Sequence, residues 1–228
     1  MVTVAAVSDV HSPLYLKEFL ANMSLRVREC SLFILAGDMI LRSRVSQLAP
    51  VLRGINGAFS GQIVGTLGNE EHDAVKDSLM KEYQQVHWLD DSDMVLEIEG
   101  RKVRIVGTRG SLAEPTSWQK AHLPDILEVY SNRVELIRGL LKRRDSDDLV
   151  VLLSHYAPVR VTTQGEPENI LPVLTDPRME KVVEETSPDI IIHGHAHGAT
   201  TLSANVYGAR VFNVAFPAKR STTIIDLW

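Results

Sequence analysis

Cysteine is nearly missing from this chain: Cys30 is the only one among 228 residues. An internal disulfide is thereby excluded, and so is a thiolate-rich metal cage, since both need several sulfurs. In its apolar context between Val27 and Leu32, Cys30 reads as a small buried hydrophobe. Long apolar runs are missing as well, and none approaches the roughly 18 residues of a membrane span. The opening Met1-Val2-Thr3-Val4 lacks a basic region followed by a leader-like apolar stretch. The expectation is a cytoplasmic protein with no membrane partner. Basic excess is also lacking: the formal charge of −5 disfavours a broad nucleic-acid face, although it leaves room for a local basic groove. Repeats, low-complexity tracts and linkers are not found, so residues 1–228 read as a single domain.

Against these absences stand five short polar motifs, each placed after an apolar run. VTVAAV leads to Asp9-Val10-His11, SLFILA to Gly37-Asp38 and QIVGTL to Gly68-Asn69. DLVVLL leads to Ser154-His155, and PDIIIH to Gly194-His195-Ala196-His197. Short β-branched runs bounded by glycine and polar residues are the signature of buried strands. Oxygen and imidazole side chains are thus delivered repeatedly at strand ends, a donor set that suits Mn, Fe, Zn or Ni. The pairs Asp9/His11 and His195/His197 are two residues apart, which on extended backbone would point both members to one side. Of eight histidines, three fall within residues 193–197, a clustering that packing alone does not explain. Seven donors exceed what one ion needs and suit two ions sharing a carboxylate.

In these motifs the chain resembles the calcineurin-like metallophosphoesterase superfamily, whose pattern runs DxH, GD, GNH(D/E), H, GHxH. All five blocks occur in order between residues 9 and 197. The resemblance implies two divalent ions, Mn foremost and Fe, Zn or Ni as alternatives. One would be held by Asp9, His11, Asp38 and His197, the other by Asp38, Asn69, His155 and His195, with Asp38 bridging. It also implies an αββα sandwich and hydrolysis of a small phosphodiester or phosphomonoester. One position departs from the pattern. Where the family carries a catalytic histidine this chain has Glu70, followed by Glu71 and His72.

From residue 1 to about 85 strands and helices alternate, which calls for parallel pairing and right-handed crossovers. Ser12 or Pro13 is expected to open a first helix carrying Leu16, Phe19, Leu20 and Met23. A second should run from Ser43 to Ile55 with Val45, Leu48, Val51 and Leu52 inward, closed by Gly54 and Gly57. VHWL, MVLEIE and KVRIVG read as strands, the last two joined by a turn at Glu99-Gly100-Arg101. His87, in the first of them, reads as structural. Residues 108–148 form a segment on the substrate side with a long helix, whose Ile126, Val129, Tyr130, Val134, Ile137 and Leu141 share one face. Lys142-Arg143-Arg144 then complement the helix dipole as a solvated terminus. The tail ATTLSAN, ARVFNVA and STTIIDLW reads as antiparallel strands. The fold class is α/β (α+β): two sheets face to face with helices outside both.

Two dications would neutralise a phosphate ester, hold it in line and acidify a bridging water. Asp38 has the two oxygens a bridge needs, Asn69 is a neutral donor, and the histidines ligate only when neutral. His193 matches no ligand position and reads as a support. Beside two dications Glu70 would stay ionised and donate no proton, so it should either turn toward a basic residue or leave the enzyme to esters with good leaving groups. His72 is the alternative proton donor. Arg109, Trp118 and Arg160 are candidate substrate contacts. Two other readings remain open here: a nuclease, and a protein-binding scaffold of the same fold without chemistry. Homo-oligomerisation is compatible with all of them.

Overall fold

The structure, a computed structural model, describes residues 2–145 and 148–228. Among these, eleven strands form two sheets. The first takes β1 (Thr3–Val7), β2 (Leu32–Ala36), β3 (Gln62–Thr66), β4 (Val86–Leu89) and β11 (Thr223–Asp226), in the order β11-β1-β2-β3-β4. The second takes β5 (Ser92–Ile98), β6 (Arg101–Thr108), β7 (Leu149–Ser154), β8 (Ile190–His193), β9 (Ser203–Val206) and β10 (Ala209–Asn213), in the order β5-β6-β7-β8-β10-β9. β1 to β4 run parallel, as do β6, β7, β8 and β10, while β11, β5 and β9 close the edges antiparallel. The α-helices of the described residues are α1 (Leu16–Ala21), α2 (Leu48–Ala58), α3 (Asp73–Glu82), α4 (Ser117–His122), α5 (Ile126–Leu141), α6 (Pro177–Thr186) and α7 (Phe216–Lys219).

Strand alternation sorts the apolar residues into three layers of core. Val4 and Ala6, Leu32 and Ile34, Val151 and Leu153, and Ile190 and Ile192 meet between the sheets. Their neighbours Ala5, Val7, Phe33 and Leu35 face α1 and α2 on the first sheet's outer side. Val150, Leu152 and Ile191 face α5 and α6 on the second. Period-two alternation of wholly apolar strands therefore builds a four-layer sandwich, with helices covering both sheets. Because the inner strands are parallel within each sheet, their C-terminal ends gather along common edges, where open α/β sheets form sites.

Several expectations need correction. The first helix starts at Leu16 rather than at Ser12 or Pro13, whose peptide bond is cis. α2 starts at Leu48, and neither glycine closes it: the helix runs through Gly54 and Gly57 to Ala58. A β-carbon on Gly54 would meet Leu20 Cδ2 at 2.0 Å, so this glycine permits the close packing of α1 on α2. Val129 is exposed; Arg133 and Leu140 join the buried face of α5 instead. The tail is not one antiparallel set, since β10 pairs parallel with β8 and β11 crosses to the first sheet. Cys30 is half-buried, its thiol directed to the Arg26 carbonyl. His87 is exposed on the edge strand β4. The turn at Glu99-Gly100 has φ of 47° and 77°, the left-handed pair that a tight hairpin requires. Positions 146 and 147 of the 108–148 segment lie outside the described residues. Among the described residues no helix is long and apolar enough to cross a membrane.

Candidate metal centre

The five motifs leave the C-terminal ends of β1, β2, β3, β7 and β8 and converge on the seam between the sheets. They form two groups of donors. In one, Asp9, His11 and His197 offer atoms within 4.8 Å of one another; in the other, Asp38, His155 and His195 do. Asp38 Oδ2 lies 3.4 Å from His155 Nε2 and 3.8 Å from His11 Nε2, so a single carboxylate oxygen faces imidazoles of both groups. Asn69 Oδ1 sits 3.1 Å from His155 Nε2, and His197 Nε2 lies 2.9 Å from Asp9 Oδ1.

The local backbone differs from the extended pairs expected. Asp9, His11, Asp38 and His195 have φ of 57°, 43°, 51° and 69°, all left-handed. Such conformations cost on the order of 1 kcal/mol each for non-glycine residues, and they mark sites where the surroundings dictate the backbone. The chain turns sharply as it leaves each strand, which aims the side chains at the seam. Glycines make room for it: a β-carbon on Gly68 would lie 2.1 Å from Asp38 Oδ1, and one on Gly194 2.4 Å from Asp9 Oδ2.

Four of the donors are oriented by backbone. His155 Nδ1 meets the Ala36 carbonyl at 2.9 Å, leaving Nε2 toward Asp38 and Asn69. His195 Nε2 meets the Val173 carbonyl at 3.0 Å, leaving Nδ1 as its free donor. Asp9 Oδ2 accepts from His195 N, and Asp38 Oδ1 accepts from Glu70 N. Three supporting residues were not singled out from sequence. Glu71 accepts from Asp38 N, Gly68 N and Ile40 N at 2.7–3.0 Å, tying the β2 and β3 loops together. Asn213 donates to Ala196 O, between His195 and His197. The Tyr156 ring packs against His155 and His195. Glu71 stands inside the GNH(D/E) block, where a signal was available; Asn213 and Tyr156 carry none.

The electrostatics are those of a site built for positive charge. Burial alone would lower the His11 and His155 imidazoles, but the Asp9 and Asp38 carboxylates outweigh it and raise both to about 9. Burial opposes ionisation of Asp9 and Asp38, yet the surrounding imidazoles hold both below the usual carboxylate range. Burial and the Asp38 charge push Glu71 up to about 7. Burial, with His155 nearby, drops His195 to about 4. His11 is 7% exposed, and neither of its ring nitrogens has a hydrogen-bond partner. Orphaned buried imidazole nitrogens facing two carboxylates fit a divalent cation, as does the hard oxygen and nitrogen donor set.

The remaining expected residues separate. Glu70 pairs with no basic side chain among the described residues: its Oε2 accepts from Arg42 N at 2.6 Å, and its charge is near enough to help raise His11. His72 is the N-cap residue of α3, with its ring stacked on Trp118 at 4.3 Å. Trp118, 42% exposed, stacks in turn on His122 and lines a cavity of about 510 Å3 with Asn69, Glu70, His72 and Arg42. Arg109, expected as a substrate contact, is engaged by the protein itself. It is 8% exposed and donates to Asp73 and the Glu71 carbonyl, which ties it to the loop after β3. Arg160 also lies elsewhere, paired with Glu168 at a separate cavity with Gln164 and Glu166. His193 is fully buried between Thr162 Oγ1 and the Gly194 carbonyl. Arg42 was missed, because nothing in its sequence neighbourhood distinguishes it.

The calcineurin-like phosphoesterase family matches residues 2–199. No curated protein matches the chain in sequence. Among solved structures, phosphopantetheinyl hydrolase from Mycobacterium tuberculosis superimposes with a TM-score of 0.70 at 17% identity, covering 96% of this chain and 90% of that one. Protein TT1561 of Thermus thermophilus does so at 0.60 and 12% identity, covering 99% of each chain. Sulfate thiohydrolase SoxB of Thermus thermophilus gives 0.56 and 14%, covering 94% of this chain and 51% of that one. At these identities the likeness is one of fold.

Proposed function

The chain belongs to the calcineurin-like phosphoesterase family, and from that premise we propose a dinuclear metal-dependent hydrolase that prefers phosphodiesters to phosphomonoesters. The observation that carries this reading is Asp38 Oδ2, which stands between His155 and His11 and so between the two donor groups. Asp9, His11, Asp38 and His197 would hold one ion, and Asp38, Asn69, His155 and His195 the other. Two dications, with Mn²⁺ the first choice, would supply charge neutralisation of the phosphate and activation of water.

The chain's own groups do the rest. The carbonyls of Ala36 and Val173 fix which imidazole nitrogen is free, so the donors are arranged before anything binds. Glu71 holds the Asp38 and Gly68 loops at one spacing, which sets the distance between Asp38 and Asn69. Glu70, a carboxylate at the rim of the adjoining cavity, repels a doubly charged monoester more than a singly charged diester. Preassembled donors favour a hydrolase over a protein-binding scaffold. The test is hydrolysis of bis(4-nitrophenyl) phosphate with Mn²⁺ added. Activity should appear with the metal and vanish on chelation; full turnover by metal-stripped protein would refute the reading.

A further inference from the structure

Of the six residues of α4 only Gln119 is buried, so an amide stands where a short helix would ordinarily set an apolar side chain. Both polar atoms of that amide are engaged. Nε2 donates to Tyr156 Oη at 2.9 Å, while Oε1 accepts from Tyr130 Oη at 3.0 Å and from Thr116 N at 2.9 Å. Tyr130 and Tyr156 are themselves buried, and the Tyr156 ring lies against His155 and His195. Directional bonds from a buried amide to two buried hydroxyls fix its rotamer more tightly than apolar contact would.

Gln119 stands between two cavities. Asn69, His72 and Trp118 line the larger one, of about 510 Å3, beside the donor groups. Leu123, Ile126, Val129 and Tyr130 line a smaller one, of about 220 Å3, at the N-terminal end of α5. Gln119 is the one residue common to both walls. Two guanidiniums also reach the smaller cavity, but Arg109 is paired with Asp73 and Arg133 with Asp91. The Asp125 carboxylate on the same wall disfavours an anion. With its cations already paired and its remaining wall apolar, the smaller cavity suits an uncharged apolar group. An organic group on a phosphorus held at the donor groups extends into the larger cavity and meets Gln119 on the way to the smaller.

We propose that Gln119 is a specificity-determining residue: its pinned amide is a partition that ends the substrate cavity and keeps the ester's organic group out of the apolar space beyond. This rests on the phosphoesterase reading above and narrows it to esters with a compact organic group. An extended apolar chain finds its path closed. Discrimination of this kind works by exclusion, so it needs a wall that does not yield. The hydrogen bonds to Tyr130 and Tyr156 supply that rigidity, and through Tyr156 they keep the wall at one distance from the ligand imidazoles.

The experiment is calorimetric titration of the Mn²⁺-loaded protein with ethyl-, butyl- and octylphosphonate, whose C–P bond is not hydrolysed. In wild type the affinity should level off, with less than about threefold gained from butyl to octyl because the added carbons stay in water. In Gln119→Ala the chain can pass into the smaller cavity, and the same step should gain about tenfold at unchanged metal content. A gain of binding is not what a merely damaged fold produces. Gln119→Met, as long as glutamine but without its hydrogen bonds, should fall between the two. Val129→Trp fills the smaller cavity and, combined with Gln119→Ala, should cancel the gain. A steady rise in wild type, no gain in Gln119→Ala, or a gain that survives Val129→Trp would each overturn the partition. The wild-type series decides it even where Gln119→Ala does not fold. A wild type that carries two ions and binds no phosphonate would instead refute the phosphoesterase reading, and a crystal structure of Gln119→Ala would still show whether the two cavities join.

Discussion

The two sheets make unlike contributions to the centre. The first sheet's loops supply mainly oxygen: Asp9, Asp38 and Asn69. Their carboxylates are caught by N–H donors, with Asp38 Oδ1 held by Glu70 N and Asp9 Oδ2 by His195 N. The second sheet's loops supply only imidazoles: His155, His195 and His197. Two of these are caught by carbonyls, Ala36 and Val173. His11 is the exception, an imidazole from the first sheet with neither kind of support. Acceptors are oriented by backbone donors and donors by backbone acceptors, and in each half the support comes partly from the other half. Ala36 ends β2 yet holds His155 after β7; His195 follows β8 yet holds Asp9 after β1. The centre is therefore a property of the seam, and neither sheet's edge would keep its geometry without the other.

That contrast can be broken most severely at Asp38, whose carboxylate faces both groups. Asp38→Asn should remove both ions together, and elemental analysis of the reconstituted variant should find fewer than one ion per chain against two in wild type. By contrast His195→Gln, a change confined to the second sheet's side, should leave one ion.

Glu71 tests the first sheet's scaffold without removing a donor atom. Its buried carboxylate receives three backbone N–H groups. Glu71→Ala strands them, at a cost of about 3 kcal/mol or more that urea denaturation would register. Metal content should fall with it, and a variant as stable as wild type would show that the loops are held by other means.

A milder perturbation is pH. His11 and His155 have their pKa raised to about 9 from the ordinary histidine value near 6.5. In the metal-free fold both are protonated at pH 7, and ligation needs them neutral, so Mn²⁺ uptake should release protons and tighten as pH rises from 7 toward 9. The proton count comes from calorimetry in buffers of different ionisation enthalpy. The same shift stabilises the metal-free fold fully below about pH 6.5 and is lost as pH rises through about 9. Melting of the metal-free protein should accordingly drop over that window.

The smallest effect expected is at the cavity wall. Trp118→Ala removes the stack on His72 and His122, worth about 1 kcal/mol for such ring pairs. It should raise KM more than it lowers kcat and leave metal content at two.

By itself the sequence determined the strands, their alternation and the identity of the clustered donors. Apolar runs such as Phe33–Leu35 and Ile190–Ile192 bury both faces wherever they sit, so their strand character is local and survives any packing. The spacing of the motifs after those runs is equally local. Tertiary structure decided what depends on contacts between segments far apart in the chain. The tail strands could pair with either sheet, and only the packed core sent β10 to β8 and β11 to β1. Arg109 was free to face the site until Asp73 and the Glu71 carbonyl claimed its donors. Arg42 gained its place because Glu70, 28 positions later, accepts its backbone N–H. Periodicity records what a residue needs from solvent and core. It holds no record of which distant N–H or carbonyl will be left unpaired, and those partners set the left-handed turns at Asp9, Asp38 and His195.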